Sequence, residues 1–290
     1  MFICAVSMEW FRITLKPAPL LSGEEVDTLC CSLIERGAAG TTVEADGRIS
    51  CFINGERVEA ERLAAFASGE SCTVVSVAPV EEENWNQQCS EVWQPVSAGT
   101  LKVIPVETIE DTSLSEPTTI KIIPGQGFGT GHHPTTRMIL QTLSERTAEL
   151  AGKDLSIFDL GTGSGILAIA AAKIFNRSVE AVDNDPFAIT NAIDNVALNK
   201  LSHLISPALT PIQELNRPFN LILANLYGEV LVQLAPEVTR LALPGCVAIM
   251  SGITELVRDS VVDTYIENHA WVLDEEMSEG GWHCITLVRP

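Results

Sequence analysis

The sequence predicts an α/β protein with a mostly parallel sheet, preceded by a small α+β domain. Over residues 96–290, short apolar runs of strand character alternate with segments of helical periodicity, as in parallel strands joined by crossover helices. Residues 1–80 carry a different order of elements, namely strand, helix, strand, strand, helix, strand. Between them, the polar stretch 81–95 is predicted as a linker helix, because Pro79 precedes it and Pro95 ends it.

The first domain is predicted from strand alternation, one capping signal and one hairpin signal. Ser22 and Glu25 have the spacing of a capping box, which predicts a helix start. The pair Asp46-Gly47 predicts a tight hairpin. The predicted elements are strand 10–15, helix 22–36, strands 41–44 and 49–53, helix 56–67 and strand 72–77. This order predicts a ferredoxin-like α+β domain, and we expect it to bind a partner because it carries no catalytic motif.

Elements of the second domain follow from the same periodicities and from capping residues. The predicted elements are strands 101–106 and 119–123, helix 134–150, strand 155–160, helix 165–175, strand 179–183, helix 185–199, strand 219–224, helix 228–243, strand 245–250, helix 254–267 and two strands near 269–275 and 283–288. The last two strands are predicted to form a hairpin, because the turn-forming residues 278–281 lie between them. Helices are therefore expected on both faces of the sheet.

The charge balance limits the class of partner. The chain of 290 residues carries 18 Lys and Arg against 38 Asp and Glu, a net charge of −20. Binding to bare nucleic acid needs many phosphate-neutralising cations, so no direct contact with nucleic acid is expected. A basic protein would be attracted to such a surface, although solubility alone also explains the charge.

Cysteine usage and hydropathy indicate a cytoplasmic protein. The eight cysteines form no C-x-x-C pair and have no histidine cluster beside them, so neither a metal site nor a disulfide framework is expected. No apolar run reaches the length of a membrane span, and the N-terminus lacks a basic region followed by an apolar stretch. We therefore expect a cytoplasmic protein that is a monomer and has no membrane partner.

A glycine-rich turn carries the strongest functional signal in the chain. Gly161, Gly163 and Gly165 lie where a predicted strand passes into a helix, so that a ligand can approach the backbone at the helix N-terminus. A dinucleotide-binding turn needs its third glycine one position later, where this chain has the bulky Ile166. This argues against an NAD-dependent dehydrogenase. The structural alternative is a tight turn without a ligand.

Two acids accompany this turn. Asp159 precedes the first glycine, and a carboxylate there suits a ligand with an ammonium or sulfonium charge. Asp183 ends the next predicted strand, where a carboxylate can accept hydrogen bonds from both hydroxyls of a ribose. Its alternative role as a helix N-cap suits Asp185 better, since Asp185 directly precedes Pro186. Residues 159–165 resemble the first motif of the class I S-adenosylmethionine-dependent methyltransferases. The resemblance implies a Rossmann-like, mostly parallel sheet and S-adenosyl-L-methionine as cofactor.

Three further segments together resemble one family of methyltransferases. They are 124–136, 182–186 and 223–227, which read PGQGFGTGHHPTT, VDNDP and LANLY. With the glycine turn and the small first domain, they resemble the ribosomal-protein methyltransferases of the PrmA type, which methylate large-subunit ribosomal protein eleven. The resemblance covers nearly the whole chain, and residues 128–136 are its most specific part. His132 stands where the family usually has threonine.

The resemblance implies roles for single residues in these segments. In the family, the residues that match Thr136 and Asn225 contact the cofactor; a capping hydroxyl and a strand-end turn are the alternatives. Phe128 is expected either to pack over the cofactor or to belong to the core. His132 and His133 are candidate general bases by residue type, with structural roles as the alternative. The identity of a catalytic base therefore stays open.

These observations predict an enzyme that methylates amines of a large-subunit ribosomal protein, at lysine side chains, the N-terminal amine or both. Residues 1–80 are expected to recognise this substrate, and residues 96–290 to catalyse the transfer. One alternative is a methyltransferase of the same fold that acts on another protein or on a small amine. The other is a non-catalytic binding module, against which the intact Gly161 and Asp183 argue.

Overall fold

The structure is a computed structural model of the chain. It describes residues 9–18, 26, 29–30, 32–33, 36, 38, 40–44, 46–55, 57–69, 72–79, 95–106, 117–123, 131–150 and 154–290. The chain divides into two compact units, Met1–Val92 and Trp93–Pro290. Apart from Pro95, the predicted linker helix 81–95 lies outside the described residues, and so does Phe128 with the rest of segment 124–130.

The first unit is built on a four-stranded antiparallel sheet. Its elements are the strands β1 (Glu9–Pro17), β2 (Gly40–Val43), β3 (Ile49–Gly55) and β4 (Cys72–Pro79) and the helix α1 (Arg57–Gly69). Residues 26, 29–30 and 32–33, which lie within the predicted helix 22–36, are also helical. The strand order β2-β3-β1-β4, with every neighbouring pair antiparallel, is that of a ferredoxin-like fold, as predicted.

Alternation along β1 gives this unit a core of its own. Ile13 and Leu15 are fully buried, and they pack in one cluster with Leu33 and with Ala64 of α1. All members of that cluster and the apolar residues packed against it lie between residues 11 and 77. The first unit therefore buries its apolar side chains among themselves.

The second unit contains a small sheet and a large one. The small sheet consists of β5 (Val96–Ala98), β6 (Leu101–Pro105) and β7 (Thr119–Ile122). The large sheet consists of β8 (Ile157–Leu160), β9 (Val179–Val182), β10 (Ile205–Ala208), β11 (Phe219–Asn225), β12 (Ala242–Thr254), β13 (Val272–Glu279) and β14 (Trp282–Val288). The helices are α2 (Pro134–Glu145), α3 (Thr147–Leu150), α4 (Ile166–Phe175), α5 (Pro186–Leu198), α6 (Gly228–Leu241) and α7 (Glu255–Asp263).

The large sheet has the order β10-β9-β8-β11-β12-β14-β13. Neighbouring strands are parallel except where β14 is one of the pair, so the prediction of a mostly parallel sheet is confirmed. From β8 the chain runs outward to β10, and it then returns to β11 on the other side of β8. In sheets of this kind, ligands bind at the reversal, outside the carboxyl ends of the strands.

Consecutive residues of the central strand β8 point to opposite faces of the large sheet. Ile157 belongs to a core with Ile139 of α2 and Leu167 of α4. Phe158 belongs to a second core with Leu231 of α6. Helices therefore cover both faces, as the alternation of strands and helices predicted. No helix in the described part of the chain is long and apolar enough to span a bilayer.

Several element boundaries differ from the prediction. The predicted helix 134–150 is two helices, because Arg146 leaves the helical conformation between α2 and α3, with φ −84° and ψ 3°. The predicted helix 254–267 is α-helical only to Asp263 and continues as a π-helical turn, Thr264–Asn268. The strand predicted at 245–250 is longer, because residues on both sides of that range also pair with β11 and β14.

The strands β5 and β10 were not predicted from the sequence. The strand β10 contains Pro207, which lacks a backbone donor and argues against a central strand. It is tolerated because β10 lies at the edge of the large sheet, beside β9. The strand β5 has only three residues, too few for a periodic pattern.

Candidate cofactor site

The glycine turn joins β8 to α4 and folds over the end of β9. The backbone N–H groups of Gly161 and Thr162 both donate to Val182 O, each at 2.9 Å. The φ angles of Gly161, Gly163 and Gly165 are 70°, 54° and 82°, in a region that residues with a Cβ rarely adopt. The backbone of the turn itself therefore favours glycine at all three positions.

Packing inside the protein adds a second requirement. A Cβ on Gly161 would lie 2.4 Å from Leu226 Cδ2, well inside van der Waals contact. A Cβ on Gly165 would lie 3.4 Å from Ala192 of α5, at the edge of ordinary contact. A side chain at Gly161 would therefore collide with Leu226, the residue after Asn225, even when no cofactor is bound.

Asp159 is fully buried, and its side chain is hydrogen-bonded to the glycine turn and to the start of α4. Its Oδ2 accepts hydrogen bonds from Thr162 Oγ1 at 2.7 Å and from Ala168 N at 3.1 Å. Its Oδ1 has no hydrogen-bond partner in the described part of the chain. The pKa of Asp159 is raised to about 7, mainly by burial and also by the charge of Asp183, while the two hydrogen bonds oppose the rise. Among the described residues, Asp159 Oδ1 thus lacks a hydrogen-bond donor.

Asp183 connects the end of β9 to the glycine turn. Its Oδ2 accepts from Gly163 N at 2.8 Å, and its Oδ1 accepts from Asp185 N at 3.0 Å. Asp185 in turn caps α5, since its Oδ1 accepts from Phe187 N at 2.8 Å. The assignment of the N-cap to Asp185 is confirmed, and the carboxylate of Asp183 is oriented by two backbone donors.

Thr136 and Asn225 are brought together although 89 positions separate them. Asn225, the last residue of β11, donates from Nδ2 to Thr136 Oγ1 at 3.1 Å. Thr136 is fully buried in the first turn of α2. The alternative of a capping hydroxyl at Thr136 is wrong, because the side chain that caps α2 is that of His133.

His133 has a structural place at the start of α2. Its Nδ1 accepts from Thr135 N at 3.4 Å and lies 2.8 Å from Thr135 Oγ1, and its ring meets that of Trp282 edge-on at 5.0 Å. Burial, reinforced by Arg137, lowers the pKa of His133 to about 4, which would make it a weak base. The neighbouring His132 accepts a hydrogen bond from Arg137 through its backbone carbonyl.

Three buried asparagines, two in α5 and one at its C-cap, bind the backbone of Lys121 or Ile123, and none of them was selected from the sequence. Asn191, Asn195 and Asn199 are four residues apart and buried, and they lie along β7. Asn199 binds both backbone groups of Lys121, accepting from N at 3.1 Å and donating to O at 2.6 Å. Asn191 Nδ2 donates to Ile123 O at 3.1 Å. The signal that could have found them is three asparagines spaced four residues apart, which places them on one side of the helix.

Asn195 is the member of this row that reaches the glycine turn. Its Oδ1 accepts from Ile123 N at 2.7 Å, and its Nδ2 donates to Ser164 O at 2.9 Å. Ser164 lies between the second and third glycines of the turn. A single fully buried amide therefore links the turn to the end of β7.

The adjacent strands β9, β8 and β11 thus carry Asp183, Asp159 with the three glycines, and Asn225 at or just after their carboxyl ends, and Thr136 of α2 joins them through its hydrogen bond with Asn225. One hydrogen bond joins the glycine turn to the end of β9, between Gly163 and Asp183. Another joins the start of α2 to the end of β11, between Thr136 and Asn225. Among the described residues, no group of three or more His, Cys, Asp or Glu side chains is arranged to hold a metal ion.

Over residues 27–290 the chain matches the family model described as ribosomal protein L11 methyltransferase (PrmA). The chain belongs to this family. A curated relative of that name from Geotalea daltonii is 36% identical over 219 residues, which cover 73% of this chain and 69% of the relative. Another from Synechococcus elongatus is 31% identical over 296 residues, covering 96% of both chains.

A solved structure from the same family shares the fold. The crystal structure of ribosomal protein L11 methylase from Lactobacillus delbrueckii subsp. bulgaricus matches with a TM-score of 0.59 at 30% identity, covering 68% of this chain and 99% of that chain. With the observed strand order, this confirms the class I methyltransferase fold predicted from the glycine turn. The chain is an S-adenosylmethionine-dependent protein methyltransferase of the PrmA family.

Proposed function

We propose that this chain binds S-adenosylmethionine at the carboxyl ends of β8, β9 and β11 and methylates amines of ribosomal protein L11. The proposed cofactor residues are Thr136, Asp159, Gly161, Gly163, Gly165, Asp183 and Asn225, with Phe128 as a further candidate outside the described residues. The observation that carries the proposal is the convergence of these described residues at the reversal of strand order. The substrate is proposed from the names of the relatives.

Asp183 fits the ribose of this cofactor. Each carboxylate oxygen already accepts one backbone N–H, from Gly163 and from Asp185, and these two bonds fix the plane of the carboxylate. An ionised carboxylate oxygen has more than one acceptor position, so each oxygen can accept a second hydrogen bond. Two adjacent acceptors with a fixed orientation match the two adjacent hydroxyls of a ribose.

Asp159 fits the positive end of the cofactor. Its buried Oδ1 lacks a partner in the described part of the chain, and a buried acceptor of this kind is costly unless it is satisfied. The ammonium of the methionine portion would satisfy it directly or through a water molecule. A positive charge nearby would also counter the raised pKa of Asp159, because opposite charge favours the ionised form.

The residues of the chain act in this reaction mainly by orientation. When bound, the cofactor supplies a methyl group that is activated by a positively charged sulfur. The hydrogen bond to Thr136 fixes the side-chain amide of Asn225, whose Oδ1 can accept N–H groups at the end of β11. The target amine must lose a proton before it attacks, and His133, with a pKa of about 4, is poorly suited to take it. We infer that solvent takes the proton and that orientation and exclusion of water supply most of the rate.

The first unit is proposed to recognise the protein substrate. It has its own core, and none of the proposed cofactor residues belongs to it. The net charge of −20 would attract a basic protein. We therefore propose residues 1–80 as the recognition domain, residues 81–95 as a linker helix and residues 96–290 as the catalytic domain.

The cellular setting is also proposed. Cys51, Cys246 and Cys284 are free and buried, and burial raises the pKa of each thiol to about 12, as suits inert thiols in a reducing compartment. We propose a cytoplasmic monomer that does not contact nucleic acid directly. Sedimentation of the purified protein with and without ribosomal RNA tests the last two points.

The experiment for the proposed function is transfer of a labelled methyl group. Unmethylated ribosomal proteins are incubated with the protein and methyl-labelled S-adenosylmethionine, and mass spectrometry then locates the label. We expect label on amines of L11 and much less label with the Asp183→Ala variant. Label on another protein or on a small amine would instead support the same chemistry with a different substrate. Cofactor binding without label on any of them would support a binding module.

A further inference from the structure

A buried amide joins two parts of the chain that lead to the proposed cofactor residues. Asn195 binds Ser164 O in the glycine turn and Ile123 N just after β7. Ser164 is followed and preceded by glycines, and Gly163 N donates to the carboxylate of Asp183. One side chain therefore touches both the glycine turn and the residue that follows β7.

The two contacts demand an amide. The Ile123 N–H needs an acceptor and the Ser164 carbonyl needs a donor, and Asn195 supplies one of each from a fully buried position. Its Nδ2 also lies 3.4 Å from Ile123 O. A carboxylate at this position would keep the acceptor but would set an oxygen against the Ser164 carbonyl. The position of the turn relative to β7 is therefore sensitive to the chemistry of this one group.

We propose that Asn195 is a positioning residue for cofactor binding. By holding Ser164 O, it keeps the Gly163 N–H directed at Asp183 and keeps the turn in a fixed position relative to Ile123, at the end of β7. This role rests on the proposed cofactor site, and it adds a residue that lies outside the glycine motif. Asn195 is not proposed to touch the reacting atoms.

Asn199 provides an internal control. It has the same side chain, follows four residues later as the C-cap of the same helix, is also buried, and binds the backbone of Lys121 in β7. Its side chain binds the backbone of Lys121 and the carbonyl of Asn195, and neither residue belongs to the glycine turn. A purely structural role for the row of asparagines predicts equal consequences at the two positions. A positioning role predicts a difference in cofactor affinity.

The test compares Asn195→Ala with Asn199→Ala in the full chain. Both variants should lower Tm by similar amounts, since each leaves buried backbone groups without these partners. Calorimetric titration with S-adenosylmethionine, well below either Tm, should show a Kd raised about fivefold or more by Asn195→Ala and less than about twofold by Asn199→Ala. Asn195→Asp should behave like Asn195→Ala. The kcat with saturating cofactor should change much less than the KM for the cofactor in both Asn195 variants.

An Asp183→Ala titration separates this inference from the proposed site. If Asp183→Ala leaves the affinity unchanged, the cofactor does not bind where we propose, and the proposed site fails. If Asp183→Ala weakens binding while Asn195→Ala and Asn199→Ala have equal affinities, the positioning role of Asn195 is overturned and the site stands.

A measurement on the unmodified protein covers the case in which the Asn195 variants do not fold. Hydrogen exchange is followed at two backbone amides of the same strand region: that of Ile123, bound by Asn195, and that of Lys121, bound by Asn199. Cofactor should slow exchange more at Ile123 than at Lys121, because it tightens the turn that Asn195 holds. Equal slowing at both amides would contradict the inference.

Discussion

At the scale of single residues, two acids only two positions apart serve different purposes. Asp183 turns both carboxylate oxygens toward backbone N–H groups at the glycine turn and at the start of α5. Asp185 uses its carboxylate to cap α5 at Phe187 N. The first is therefore placed for a ligand at the end of β9, and the second for the stability of a helix.

The substitution Asp183→Ala should weaken binding of S-adenosylmethionine by about a hundredfold or more, because two charge-assisted hydrogen bonds of roughly 1.5–3 kcal/mol each are lost. Asp185→Ala is the matched control. It should lower the free energy of unfolding by about 1 kcal/mol through loss of the cap and leave the affinity nearly unchanged. Calorimetric titration and urea denaturation of both variants measure these effects. Equal affinity in the Asp183→Ala variant and the unmodified protein would reject the ribose assignment.

His133 should make stability depend on pH. Its folded pKa of about 4 lies below the ordinary value of 6.5, so between these pH values the unfolded chain binds more protons. Stability is therefore present above pH 6.5 and is lost as pH falls toward 4, by up to roughly 1.4 kcal/mol per pH unit. His133→Asn should retain the cap without titrating, and so reduce this loss.

Denaturant titrations at several pH values between about 4 and 7 check the effect of His133→Asn. The exposed His203 provides the control, since His203→Asn changes a histidine that is not a cap. An acid sensitivity of the His133→Asn variant equal to that of the unmodified protein would contradict the role of His133 as a neutral cap.

At the scale of elements, the turn after β11 is held between two glycines. The side chain of Leu226 lies against Gly161, and its backbone lies against Gly252, where a Cβ would be 2.2 Å from Leu226 O. Leu226 N also donates to Ser251 O at 3.0 Å. The ends of β8, β11 and β12 are thereby fitted closely together, and this fixes where the preceding Asn225 stands.

The cost of crowding at this junction can be separated from the cost of the backbone angle. Gly161 and Gly245 have similar φ angles, 70° and 74°, but a Cβ on Gly245 would meet nothing within 4 Å. Gly245→Ala should therefore cost about 1–2 kcal/mol for the angle alone. Gly161→Ala should cost about 1–3 kcal/mol more, because Leu226 must move.

A double-mutant cycle measures the crowding term directly. In a Leu226→Ala background, the cost of Gly161→Ala should fall to that of Gly245→Ala, because no side chain then meets the new Cβ. The free energy of unfolding is measured for each variant by urea denaturation. Equal costs of Gly161→Ala in both backgrounds would show that Leu226 does not enforce glycine at the turn.

At the scale of the whole molecule, the chain is two units with separate cores. Among the described residues, the cluster of the first unit ends by residue 77, and the two clusters of the second unit begin at residues 98 and 158. All proposed cofactor residues belong to the second unit. Cofactor binding and recognition of a protein substrate are therefore expected to be separable functions.

Removal of residues 1–80 should leave the affinity for S-adenosylmethionine within about twofold, since no proposed contact is lost. The same truncation should abolish methylation of intact L11. Titration calorimetry provides the control that the remaining unit is folded, and labelled-methyl transfer gives the outcome. Transfer to L11 at the full rate by the truncated chain would show that residues 1–80 do not recognise the substrate.

The sequence by itself determined the class of this protein. The glycine turn, Asp159 and Asp183 are local signals, because a strand-to-helix turn and a strand end depend on neighbours a few residues away. The order of elements in the first unit and the alternation in the second likewise follow from periodicities of single segments. For the same reason, the cap at Asp185 was predicted from its position before Pro186.

Only the tertiary structure decided how these segments meet. The contact between Thr136 and Asn225, the link from Asn195 to the glycine turn and the packing of Leu226 against Gly161 all join residues distant in sequence. Such contacts depend on which strands become neighbours, and this follows from burial of both sheet faces and from the path of the crossovers. A local sequence pattern describes neither the burial of both sheet faces nor the path of the crossovers. The partners of these buried groups are therefore known only from the assembled sheet.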